Sequence, residues 1–203
     1  MDVFDDVSQL NRIERDCWQH LQSAVTDRDN GWRLPVLATI VQNSVQQRTV
    51  VLRGVDELSQ VLYFHTDIRS PKVGQLSNNR SISLAFYDHS LSVQLRVQGV
   101  ANVHTDDVIA DAIWSAGEPE NLRMYLAPHP PGTISELSTS NLPPEFIGRI
   151  PERRDLEAGR SNFCVISVQV LSMDWLLLNR GGHVRAIFGY DQDDETHRKW
   201  LCP

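Results

Sequence analysis

RTVVLRGVDELSQVLYFHTDIRSPK, residues 48–72, holds two apolar runs, an acidic and polar interruption between them, and a Ser-Pro pair near its end. The runs RTVVLR (48–53) and VLYFHT (61–66) are rich in β-branched and aromatic residues, which reads as two strands. Ser70 and Pro71 read as the N-cap and first helical residue of a short helix ending near Asn78. The same stretch gathers Arg48, Arg53, Arg69 and Lys72. Two readings of these cations stand open: a solvated face of a hairpin, or an anion site where cations on rigid elements converge on a phosphate. Lys72 sits in the first turn of the helix, where free N–H groups and the dipole favour an anion, and Thr66 ends the preceding strand with a hydroxyl. Arg48 and Arg53 are five apart, so alternation puts them on opposite faces of one strand. One ligand meets both only at a strand end, a bulge or a subunit seam.

Upstream, Val7, Leu10, Ile13, Cys17, Leu21 and Ala24 recur every three or four residues, which predicts an amphipathic helix over 5–26. LPVLATIV (34–41) follows as a strand, with QNSVQQ as the hairpin connection to RTVVLR. Downstream, SISLAFY (81–87) and SVQLRVQGVANV (92–103) form a strand pair joined through Asp88–Leu91, and Thr105 is the expected cap of a helix reaching Ala116. Seven of the ten prolines lie between Pro119 and Pro151, so 117–160 is expected to be irregular apart from a helical piece in NLRMYLA (121–127). FCVISVQVL (163–171), DWLLL (174–178), HVRAIFGY (183–190) and the terminal THRKWLCP supply the last strands. Hairpin-linked strands without regular helix alternation predict a mainly β, α+β fold. The form expected is a small antiparallel barrel with peripheral helices.

The totals narrow the function. The chain has 203 residues and a net charge of −7, which argues against non-specific nucleic-acid or anionic-membrane binding. Any phosphate site is therefore local. Cys17, Cys164 and Cys202 are scattered, which fits reduced thiols, and neither they nor the seven histidines show metal-ligand spacing. The acidic start MDVFDDVSQL lacks the basic and apolar regions of a signal peptide, and the apolar runs are too short to span a bilayer, so a cytoplasmic protein is expected. Neither G-x-G-x-x-G, the P-loop pattern, G-x-S-x-G nor H-E-x-x-H is present. Cys164, Trp18, Trp114 and Trp175 read as core residues.

Two further positions have two readings each. Gln94, within VQLRVQ (93–98), is either a strand glutamine facing water or an amide matching the donor and acceptor edge of a flavin or nucleobase. His183 and Arg185 are two apart, hence on one strand face. They are either solvated or a grip on a carboxylate or phosphate, with the histidine available for proton transfer. Gly181-Gly182 before them reads as a hairpin turn.

Taken in order, RTVVLR, FHT (64–66), SPK (70–72), Asn78-Asn79 and QLRVQGVA (94–101) resemble the pyridoxamine 5′-phosphate oxidase-like family of FMN-binding split barrels. Leu37-Ala38-Thr39 before RTVVLR is similar to the branch of small FMN-binding proteins related to that oxidase. The resemblance covers 34–104 and, more loosely, 160–203, where the ending Leu201-Cys202-Pro203 follows the family's habit. It implies a homodimeric split β-barrel over 1–203. Residues 1–30 would be the N-terminal helix, 34–104 the core barrel strands, 117–160 a proline-rich segment and 161–203 the C-terminal strands. It also implies FMN in grooves at the subunit interface. Arg48 and Lys72 would hold its phosphate with Thr66 and Ser70, and Thr49, Val50, Val51, Leu52, Arg53 and His65 would lie along the cofactor. Gln94 would reach the ring from the partner strand, and Arg53, His183 and Arg185 would face a small-molecule substrate. No catalytic residue and no metal is assigned. Pro71 stands where the oxidase pattern has an arginine, His65 where it has tyrosine and Arg53 where it has lysine. The resemblance thus implies an FMN-dependent oxidoreductase of unassigned substrate, or a flavin-binding module without turnover, or a split barrel with another ligand.

Overall fold

The computed structural model describes residues 6–190 and 198–203. The expected helix start at residue 5, and Thr196-His197 of the last strand, lie outside them. Among the described residues, helices α1 (Asp6–Thr26), α2 (Pro71–Asn78), α3 (Val108–Ala116) and α4 (Pro119–Leu122) are set among nine strands. These are β1 (Val36–Val41), β2 (Ser44–Thr49), β3 (Leu52–Asp56), β4 (Val61–Asp67), β5 (Ser81–Asp88), β6 (Val93–His104), β7 (Phe163–Leu177), β8 (Val184–Gly189) and β9 (Arg198–Leu201). The chain divides into two compact units, one of residues 1–64, 79–101 and 167–203, the other of 65–78 and 102–166.

The first unit is built on a mainly antiparallel sheet in the order β2-β1-β5-β6-β7-β4-β3, with β8 beside β7 and β9 beside β8. RTVVLR is not one strand. Arg48-Thr49 end β2, Val50-Val51 connect, and Leu52-Arg53 open β3 on the far edge of the strand order. The turn before β2 is correspondingly shorter than QNSVQQ, only Gln42-Asn43, with Gln42 at a positive φ of 51°. Laid flat, six strand spacings would separate β2 from β3 by about 29 Å. The three Cα steps from Thr49 to Leu52 reach at most roughly 11 Å. The sheet therefore curls until its two edges meet, giving a barrel with a split between β2 and β3.

Alternation fills that barrel. Leu37, Leu84, Phe86, Leu95, Val97, Leu52, Leu62, Phe64 and Phe188 are at most 1% exposed. At Gly99 a Cβ would stand 2.5 Å from the Gln169 carbonyl oxygen, so only glycine lets β6 run this close to β7. On α1, Leu10, Cys17, Leu21 and Ala24 are buried as the periodicity predicts, Ile13 is half-buried and Val7 is exposed; Trp18 is buried beside them. Trp18 Nε1 donates to Tyr190 Oη at 3.1 Å, and Arg198 Nε donates to Glu14 at 2.5 Å. Arg33, in the 3₁₀ turn Gly31–Arg33, donates to the carbonyls of Ala24 and Val25, satisfying the helix end that carries no basic residue of its own. FCVISVQVL and DWLLL, expected as two strands, are one fifteen-residue strand, β7, and Trp175 on it is only half-buried.

The second unit is helical and irregular around Phe163, whose ring meets Trp114 at 5.1 Å and Tyr125 at 4.9 Å. Asp107, not Thr105, caps α3, its carboxylate accepting from the Ile109 and Ala110 amides. Thr105 instead lends its carbonyl to Arg160. The proline-rich segment lacks long regular elements, but its ends are packed: Leu122, Tyr125, Ala127 and Leu156 are buried, and Arg153 donates to the carbonyls of Trp114 and Gly117. Among the described residues no helix is long and apolar enough to cross a membrane, and no cluster of metal-ligating side chains occurs.

Candidate functional site

In the first unit Arg48 sits opposite Leu37 on β1. Leu37 pairs with Leu84, and Leu84 with Val97, so Arg48 rises on the buried face of the sheet at its β2 edge. Its Nη1 donates to Thr39 Oγ1 at 2.5 Å and to the Gln46 carbonyl at 3.0 Å, and partial burial lowers the guanidinium below its ordinary value. Because Arg48 and Arg53 lie on different strands, the alternation that separated them does not apply. Arg53 stands where the β3–β4 register shifts between Leu52 and Gly54, a bulge that re-aims a side chain. Thr49 is exposed, Val50 and Val51 are half-buried, and the Val50 amide donates to the Pro35 carbonyl. Leu52 points into the core opposite Phe64, so only its backbone is available to a ligand.

Gln94, between buried Val93 and Leu95, projects from the opposite face to Arg48, as does Arg96. On that face Asp174 of β7 gathers two arginines. Arg185 holds it through Nε at 2.9 Å and Nη2 at 2.7 Å, and Arg96 Nη2 holds it as well. Burial would raise the Asp174 carboxyl, but the hydrogen bonds from Arg185 and Arg96 outweigh it and keep it below its ordinary value. His183 does not share a strand face with Arg185, because β8 begins at Val184. It belongs to the Gly181-Gly182 turn, is exposed, and accepts from the Asn179 amide through Nδ1.

In the second unit α2 begins at Pro71 as the sequence predicts, and Lys72 Nζ donates to Thr66 Oγ1 at 2.8 Å and Ser70 Oγ at 2.7 Å. Both hydroxyls belong to buried residues. One ammonium thus collects two hydroxyls whose protons remain to be donated, a donor set suited to an acceptor-only group such as a phosphate. His65 sets its ring edge-on to Phe163 at 5.2 Å. Arg69 lies outside this cluster: it forks onto buried Asp67 and donates to the carbonyls of Ala127 and Pro128, so the third cation of the opening stretch anchors the proline-rich segment. Cys164 is a core thiol, pushed up to about 12 by burial against the opposing influence of Lys72.

Thr39, Arg96 and Asp174 carry polar contacts at these places and were not singled out in the sequence. Nothing local marks Thr39 as a partner of Arg48, and nothing local links Arg96 to Asp174, 78 residues away.

Residues 15–105 match the family model described as pyridoxamine 5′-phosphate oxidase, FMN-binding domain. Over 100 residues it is 35% identical to the pyridoxine/pyridoxamine 5′-phosphate oxidase of Vibrio campbellii, a match covering 48% of this chain and 42% of that relative, less than half its length. Among solved structures it is similar to a pyridoxamine 5′-phosphate oxidase-related, FMN-binding protein from Nostoc punctiforme, at a TM-score of 0.69 and 21% identity over all of both chains. It is also similar to PhzG from Burkholderia lata, solved with tetrahydrophenazine-1-carboxylic acid, at 0.67 and 17%, covering 95% of this chain and 92% of that one. At these identities the two structures establish the fold: a mainly antiparallel sheet with several helices.

Proposed function

We propose that this protein binds FMN and acts as an FMN-dependent oxidoreductase of the pyridoxamine 5′-phosphate oxidase-like type. The observation that carries the proposal is the Lys72 cluster: an ammonium and two buried hydroxyls gathered at a helix start in a net-acidic chain. Lys72, Thr66 and Ser70 in the second unit, and Arg48 in the first, are the residues the resemblance assigns to the phosphate. The backbone of Thr49–Arg53 and His65 are assigned to the cofactor's length. When bound, FMN supplies the hydride-accepting ring and passes electrons to oxygen or another acceptor.

The faces of the sheet support a homodimer. Arg48 and Gln94 project from opposite sides of the sheet, so one flavin meets both only if they come from two copies. The outward side of β1, β2 and β5 exposes Val36, Ile40, Val45 and Tyr87, an apolar strip suited to burial against a second copy. Taken together, these assignments make residues 1–203 one functional split-barrel unit of a cytoplasmic flavoprotein.

A second reading, FMN binding without turnover, has its own observation. Arg185, a proposed substrate contact with Arg53 and His183, already spends Nε and Nη2 on Asp174, and His183 is occupied in a turn. Oxygen uptake by the FMN-loaded protein over a panel of small phosphorylated and carboxylated amines separates the two. Turnover supports the oxidase reading, and stable flavin with no uptake supports binding alone. Failure to take up FMN refutes both.

A further inference from the structure

Thr39 is 1% exposed on the inward face of β1, a hydroxyl set among mostly apolar side chains. Its Oγ1 lies 2.5 Å from Arg48 Nη1, and the same Nη1 reaches the Gln46 carbonyl at 3.0 Å. Gln46 is the residue opposite Thr39 in the β1–β2 ladder, so the two acceptors form one small platform beneath the guanidinium. Together they hold Nη1 of the guanidinium against the strand pair. An unrestrained arginine carries rotamer entropy that a ligand must remove on binding unless the protein has removed it beforehand.

We propose that Thr39 is a positioning residue whose hydroxyl aims Arg48 at the FMN phosphate. The inference rests on the FMN reading given above. Thr39 touches no ligand atom itself. It acts through Arg48, by holding one end of the planar fork against the strand so that binding does not have to order it. Its effect is therefore confined to ligands that carry the phosphate, and riboflavin, which lacks it, reports on everything else in the site.

The test is a fluorescence titration of the intact protein with FMN and with riboflavin, for wild type, Thr39→Val, Thr39→Ser and Arg48→Ala. Thr39→Val keeps the shape and removes the acceptor. Loss of one hydrogen bond of ordinary net worth predicts FMN affinity reduced about three- to ten-fold, with riboflavin affinity unchanged. Thr39→Ser restores the acceptor and should bind FMN within about two-fold of wild type, whereas Arg48→Ala should lose considerably more than Thr39→Val. Where valine impairs folding, Thr39→Ala takes its place. Wild-type FMN affinity in the Thr39 variants, with affinity lost in Arg48→Ala, overturns the positioning role alone. Equal weakening of FMN and riboflavin overturns it in favour of simple packing. Wild-type FMN affinity in Arg48→Ala removes the phosphate reading and this inference with it.

Discussion

Replacing Lys72 by alanine removes the ammonium from a cluster in which it donates to two buried hydroxyls at 2.7 and 2.8 Å. Thr66 and Ser70 keep the capacity to bond each other or water, so the folded state loses little, on the order of 1 kcal/mol. A bound phosphate would lose a charge-assisted contact, typically about 1.5–3 kcal/mol. That corresponds to roughly 10- to 150-fold weaker FMN. The two effects are separable: thermal unfolding of the apo protein reads the first, and titration with FMN reads the second. Weaker screening of a partly buried pair also predicts that the difference between wild type and variant persists at moderate salt. The refuting result is a Lys72→Ala protein that folds normally and binds FMN as wild type does. The hydroxyl cluster would then be a helix-start motif, unrelated to a cofactor.

Other expectations follow from other parts of the molecule. Arg48→Ala should cost about 2–4 kcal/mol of FMN affinity, measured in the same titration. Asp107→Ala removes the α3 cap and should lower stability by about 1 kcal/mol in a urea titration. Burial would raise the Asp88 carboxyl, but bonds from the Ser90 hydroxyl, the Leu91 amide, His20 and the Ser90 amide outweigh it and lower it from 3.8 to about 2. A depressed carboxylate contributes stability above its ordinary value, so that contribution should fade as pH falls from about 4 to about 2, and Asp88→Asn should flatten this part of the stability–pH curve. Asp174→Asn should release Arg96 and Arg185. The variant should lose about 1 kcal/mol of stability while its FMN affinity stays near wild type.

Elements governed by local pattern were legible in the sequence. The 3.6-residue period of α1, the Ser-Pro start of α2 and the alternation of β5 and β6 each follow from neighbours a few residues apart. RTVVLR misled because Val50 and Val51 continue an apolar β-branched run across a point where the chain changes edges. That break is set by barrel closure, which no window of six residues encodes. Thr105 and Asp107 both stand before α3 as acceptable caps, and only side-chain reach decides between them. At the site, Lys72 with Thr66 and Ser70 was legible because all three lie within seven residues. The capture of Arg69 by Asp67 and the proline-rich segment was not, nor was the capture of Arg185 by Asp174. The carbonyls of Ala127 and Pro128 lie 58 and 59 residues from Arg69, and Asp174 meets Arg185 only across the β7–β8 pairing, so cations whose spacing had suggested a ligand are redirected.

The central claim, FMN bound to a dimer, is tested most directly by the absorption spectrum of the purified protein titrated with FMN during size-exclusion chromatography. The account predicts flavin absorption co-eluting with a dimer at about one FMN per chain. A colourless protein that passes through FMN unchanged, at any oligomeric size, would contradict it.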